Sequence, residues 1–106
     1  MTALTEQDFR VKSDAAIEQA RRALMNLADQ EGFEIEMQDG VLNLLFEDPS
    51  EARFVVSPNA PVRQIWVSAM ARSYKLSWVA ERGAFVLDAE TLSQLLDRLA
   101  RAHLQG

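Results

Sequence analysis

Near the middle of the chain, after Pro61, apolar and polar side chains alternate: Ile65 and Val67 are interleaved with Gln64, Trp66 and Ser68. A period of two is that of a strand with one buried face. Ile65 and Val67 then face a core, and Trp66 shares the other face with Gln64 and Ser68. A tryptophan on a solvated sheet face is costly surface unless something covers it. Either it lies under a helix, as most large apolar side chains do, or it is a contact for a partner, a role in which tryptophan is enriched.

The flanking sequence shows what this strand pairs with. Thr5 is positioned to cap a helix, with Asp8 three residues on in a variant of the capping box. Phe9, Ala16, Ile17, Ala20, Leu24 and Leu27 then recur at helical spacing, predicting a helix over 6–30 that Gly32 ends. Phe33, Ile35 and Met37 alternate with Glu34, Glu36 and Gln38 in a first strand. Asp39-Gly40 is a two-residue hairpin signal, because both positions tolerate positive φ. Further strands are predicted over 41–47, 53–57, 63–68, 74–79 and 84–87, separated by turns at Asp48-Pro49-Ser50, at 57–61, at 69–73 and at Glu81-Arg82-Gly83. Asp88 is the candidate cap of a last helix carrying Leu92, Leu95, Leu96 and Leu99 on one stripe.

Strands joined by short turns make an antiparallel meander, and two helices with one apolar stripe each cover one of its faces. The expected fold is therefore α+β: a two-layer sandwich with an antiparallel sheet of about six strands. The 106 residues suffice for one domain spanning 1–106 and one core. The formal charge of −5 argues against a nucleic-acid partner, which needs a basic face. No apolar run is long enough to span a bilayer, and Met1-Thr2-Ala3-Leu4-Thr5 has no basic stretch leading into an apolar core, so neither a membrane nor a secretory leader is expected.

Catalytic signatures are absent. There is no cysteine, no glycine-rich phosphate loop and no Gly-x-Ser-x-Gly, and His103 is read as a surface residue of the last helix. The remaining candidates are carboxylates. Asp29, Glu31, Glu34, Glu36 and Asp39 lie close together in sequence, and Glu34 and Glu36 share the outward face of the first strand. An all-oxygen ligand set suits a hard cation such as ferric iron, calcium or magnesium. The plainer reading is a solvated acidic rim.

Gln64-Ile65-Trp66 after Pro61, with Gly40-Val41-Leu42 upstream and Tyr74 downstream, resembles the frataxin family, and nearly the whole chain fits that layout. The resemblance implies a cytoplasmic, non-enzymatic iron-binding accessory protein of iron–sulfur cluster assembly, with a cysteine desulfurase and an iron–sulfur scaffold protein as partners and a monomer as the working form. It implies weakly bound iron at Asp29, Glu31, Glu34 and Glu36. It also implies a partner-binding surface formed by Asn59, Arg63, Gln64 and Trp66. The sequence departs from the family in two places. Arg21, Arg22, Met25 and Asn26 stand where bacterial frataxins carry an acidic ridge, and Ser57-Pro58-Asn59 lacks the family's basic residue ahead of Pro61, a role left to Arg63 or Arg72. An interaction module that has lost iron binding is the alternative function, and a ferroxidase a third.

Overall fold

The structure is a computed structural model that describes residues 4–106; residues 1–3, part of the N-terminal segment read above for a leader, lie outside the described residues. Helix α1 (Glu6–Glu31) begins as its sequence requires: the Thr5 hydroxyl accepts a hydrogen bond from the Asp8 N–H at 3.0 Å. It ends at Gly32, whose φ of 80° lets its N–H reach back to the Ala28 carbonyl at 2.8 Å. The buried stripe runs Phe9, Ser13, Ile17, Ala20, Leu24 and Leu27. Ser13 is tolerated there because its hydroxyl donates to the Arg10 carbonyl at 3.3 Å.

Seven strands follow: β1 (Glu34–Gln38), β2 (Val41–Phe46), β3 (Ala52–Asn59), β4 (Gln64–Ala69), β5 (Arg72–Val79), β6 (Ala84–Leu87) and β7 (Glu90–Thr91). They pair in chain order, and every pair is antiparallel. Helix α2 (Leu92–Gln105) closes the chain. Leu42, Leu44, Phe54, Val56, Ile65, Val67, Leu76 and Phe85 alternate inward along the strands and meet the stripes of both helices in one core. Aromatic rings join the layers: Phe9 of α1 meets Phe85 of β6 edge-on at 5.7 Å, and Phe33, Phe46 and Phe54 stack in series at 4.5 and 4.9 Å.

The two-layer α+β architecture expected from periodicity is the one observed, with local departures. The sheet has a seventh strand, too short at two residues to show any alternation. Asp88 does not cap α2, because Asp88 and Ala89 form the β6–β7 turn with φ of 49° and 70°. The cap is Thr91, in a reciprocal capping box with Gln94. The turn expected over 69–73 tightens to Met70 and Ala71, both at positive φ, so β5 starts at Arg72.

A further departure is His103, which is 5% exposed rather than on the surface. Its ring lies 4.8 Å from Phe46 and 6.2 Å from Phe54, with Nε2 at 3.1 Å from the Ser50 carbonyl. It sits one turn beyond Leu99 and so continues the apolar stripe. Conversely Met37, assigned inward, is 41% exposed, near the end of the edge strand β1.

Leu44 and Leu96 are both fully buried, at 0% exposure. Truncating either to alanine is expected to destabilise the domain by about 2–5 kcal/mol. Chemical denaturation measures this, and a loss below about 1 kcal/mol at either position would mean the side chain does not pack as described.

Candidate functional site

The helices cover one face of the sheet, so the alternate side chains of every strand lie on an open face. Gln64 and Trp66 project there from β4, which lies in the middle of the sheet. Antiparallel register places Trp66 opposite Lys75 and Gln64 opposite Ser77 on β5. The Trp66 indole N–H donates to Gln64 Oε1 at 2.9 Å, Gln64 Nε2 donates to Ser77 Oγ at 3.2 Å, and Lys75 Nζ lies 4.8 Å from the indole centroid. The indole is 37% exposed. Its orientation is thus set by a hydrogen bond on one side and a cation over its face, both from residues on rigid strands. Ser57 of β3 pairs with Trp66 on the remaining side.

Two sequence-predicted partner residues take different positions. Asn59 ends β3 in register with Gln64, leads into the 3-10 turn Ala60–Val62, and makes no capping hydrogen bond with its side chain. Arg63 follows that turn in the left-handed region at φ 55°. Its guanidinium donates through Nε to the Leu4 carbonyl at 3.2 Å and through Nη1 to the Ala60 carbonyl. Arg63 therefore braces the 59–63 loop against the segment leading into α1, with these donors already used within the chain. Arg72 pairs with Ala69 in the row that faces the helices. The cation beside Trp66 is Lys75, which the sequence reading missed. A two-residue turn at Met70-Ala71 fixes the β4–β5 register that places it there, and neither residue announces such a turn in the sequence.

The four predicted metal residues lie along one edge. Asp29 and Glu31 are exposed in the last turn of α1, and Glu34 and Glu36 are exposed on the outward face of β1. Glu34 and Glu36 are two residues apart on a strand, a spacing of about 7 Å. Among the described residues, no three His, Cys, Asp or Glu side chains are placed to hold one metal ion.

On the outer surface of α1, Arg21 clasps Glu18 through Nε at 2.9 Å and Nη2 at 2.6 Å, while Arg22 Nε reaches the same carboxylate at 3.0 Å. The Arg21 hydrogen bonds, seconded by Arg22, hold the Glu18 carboxyl down to about 2 from 4.5. Arg21 Nη1 also contacts Met25 Sδ at 3.7 Å. This stretch of α1 thus presents two cations on a single acid rather than a carboxylate ridge.

Because Glu18 is more acidic in the folded chain, its ion pairs stabilise the fold above the carboxyl's unfolded pKa. That contribution is lost as pH falls from about 4.5 through about 2. Glu18→Gln is expected to flatten the melting-temperature profile within that window and leave it unchanged in shape above. The effect should shrink at high salt, since the carboxylate side chain is 39% exposed. An NMR midpoint for Glu18 near 4.5 would contradict the clasp.

Comparison with known proteins places these features in context. Residues 2–106 match the sequence family described as "Frataxin-like domain". The chain is 29% identical over 100 residues to the iron-sulfur cluster assembly protein CyaY of Pseudomonas putida strain W619, covering 91% of this chain and 86% of that one. It is 30% identical over 90 residues to the protein of the same name from Cupriavidus metallidurans, covering 78% and 79%. A solved frataxin structure from Psychromonas ingrahamii superimposes with a TM-score of 0.71 over 96% of this chain and 93% of that one; at 11% identity, it speaks for the fold.

Proposed function

Because the chain belongs to the frataxin-like family, we propose that it is an accessory protein of iron–sulfur cluster assembly, delivering or sensing iron and modulating a cysteine desulfurase and its scaffold protein. The observation that carries this reading is Trp66, held on the open sheet face by Gln64 and Lys75. Relatives named for iron–sulfur cluster assembly support it. The desulfurase–scaffold complex contacts the open face through Trp66, Gln64 and Lys75, with Asn59 at its margin. Arg63 shapes the loop beside this surface. The protein works as a monomer in the cytoplasm. Iron is cargo, held loosely by Glu34 and Glu36 with Asp29 and Glu31 nearby. The role is that of an accessory rather than of a catalyst.

A second reading rests on a specific observation: Arg21 and Arg22 occupy the surface of α1 and clasp its Glu18. On that reading the protein is an interaction module that binds no iron. Titration calorimetry with ferrous iron separates the two, since specific binding supports cargo and its absence supports the module.

Trp66→Ala tests the main reading. The fold should lose less than about 1.5 kcal/mol, well short of the ~3–5 kcal/mol of a core aromatic. Binding to the purified desulfurase–scaffold complex should fall by about 2 kcal/mol or more. Thermal melts report the first and calorimetry the second. A folded mutant with undiminished binding would remove the sheet face from the reading.

The metal edge has its own test. Glu34→Gln combined with Glu36→Gln should weaken ferrous-iron binding without unfolding the domain. The melting temperature should hold or rise, because two close like charges leave a chain of net charge −5. Unchanged iron affinity in the double mutant would rule this edge out as the binding site.

A further inference from the structure

On the helix side of the sheet, away from Trp66, α1, the β5–β6 turn and the start of α2 enclose a cleft of about 360 Å³. Trp78 and Phe85 form its apolar wall, their rings edge-on at 5.3 Å. Lys12 and Arg82 stand at its polar side, with Gln19 and Ser93 supplying further hydrogen-bonding groups to the lining. Lys12 Nζ lies 4.8 Å from the Trp78 ring centroid. Arg82 Nη1 donates to the Ala89 carbonyl at 2.9 Å, which fixes one edge of the guanidinium while its other donors remain available.

The charge pattern of this cleft runs against that of the chain. The protein carries a net charge of −5, and Arg10, Arg21, Arg22, Arg98 and Arg101 are each in ion pairs. Among the described residues, Lys12 and Arg82 are in none, as Arg53, Arg63, Arg72 and Lys75 are not, but these two share one cleft that no carboxylate lines. Two cations without an ion-pair partner lining one concavity raise the local potential and favour an anionic guest. The half-buried indole beside them offers a flat apolar surface. Clefts for small molecules run from about 300 to 1,000 Å³, so this one suits a guest of one or two rings.

We propose that this cleft binds a small planar aromatic anion, with its ring against Trp78 and its carboxylate or phosphate between Lys12 and Arg82. The site is separate from the open-face partner surface, so either can fail without the other.

The chain has two tryptophans, and the indole N–H signals of Trp66 and Trp78 in a nitrogen-15 NMR spectrum report the two surfaces independently. Titration with AMP tests the phosphate form of the guest and titration with 1-naphthoate the carboxylate form. At least one should shift Trp78 and not Trp66, with a dissociation constant below about 1 mM. Lys12→Gln and Arg82→Gln should each weaken that binding about tenfold, as should added salt, because both contacts are charge-assisted. A melt of each variant checks the fold, and Lys12→Gln alone suffices if Arg82→Gln disturbs the β6–β7 turn. The proposal is overturned if neither probe shifts Trp78 below about 1 mM or if Lys12→Gln binds as tightly as the parent. Binding of inorganic phosphate as tightly as AMP would also overturn it, since no ring would then be recognised.

Discussion

Both helices of this chain pack on one face of the sheet, and the rest of this molecule follows from that arrangement. Each strand must place its apolar residues on alternate positions toward α1 and α2, and each leaves the intervening residues to water. The covered side holds the core, built from Phe9, Leu24, Leu44, Phe54, Ile65, Leu96 and their neighbours. The uncovered side cannot be stabilised by packing, so an indole there needs other means of fixing its position. Gln64 and Lys75 supply them by a hydrogen bond and a cation over the ring. One architectural constraint therefore separates residues that hold the fold from residues available to a partner.

The edges of the molecule are set by charge rather than packing. At the β1 edge, outward carboxylates discourage pairing with another strand, and the same residues are the candidates for a cation. On α1, the clasp of Glu18 by two arginines shows that a sequence-level count of acids overstates the negative field: one carboxylate there is outnumbered two to one. At the other end, Arg98 reaches Glu90 through two hydrogen bonds at 2.8 and 2.9 Å and ties α2 to the short last strand. These ion pairs are exposed, so they orient elements more than they stabilise them.

Long, strongly periodic segments were legible in the sequence, and short-range geometry was not. The stripe of α1, the alternation of β4 and the Asp39-Gly40 turn all speak in patterns that span several residues. β7 has two residues and no pattern to read. The Met70-Ala71 and Asp88-Ala89 turns lie in the left-handed region without a glycine to announce it, which hid both the start of β5 and the true cap of α2. His103 was hidden by its chemistry: its spacing belongs to the apolar stripe, but its side chain is polar. The Ser50 carbonyl that lets it be buried lies 53 residues away. At the candidate site, Trp66 and Gln64 could be placed on the open face from alternation alone. Lys75 and Ser77 required the register, and the commitment of Arg63 to two backbone carbonyls required the folded loop.

The hydrogen bond from Trp66 to Gln64 also limits how this surface can be recognised. The indole has a single donor, and it is already satisfied within the chain. A partner therefore gains nothing by offering that nitrogen an acceptor, and an interface built to do so would have to break an existing bond first. What the ring still has to give is its apolar area, next to the positive charge of Lys75. Shape and an acidic neighbour, rather than a matched hydrogen bond, are then what discriminate one binder from another on this face.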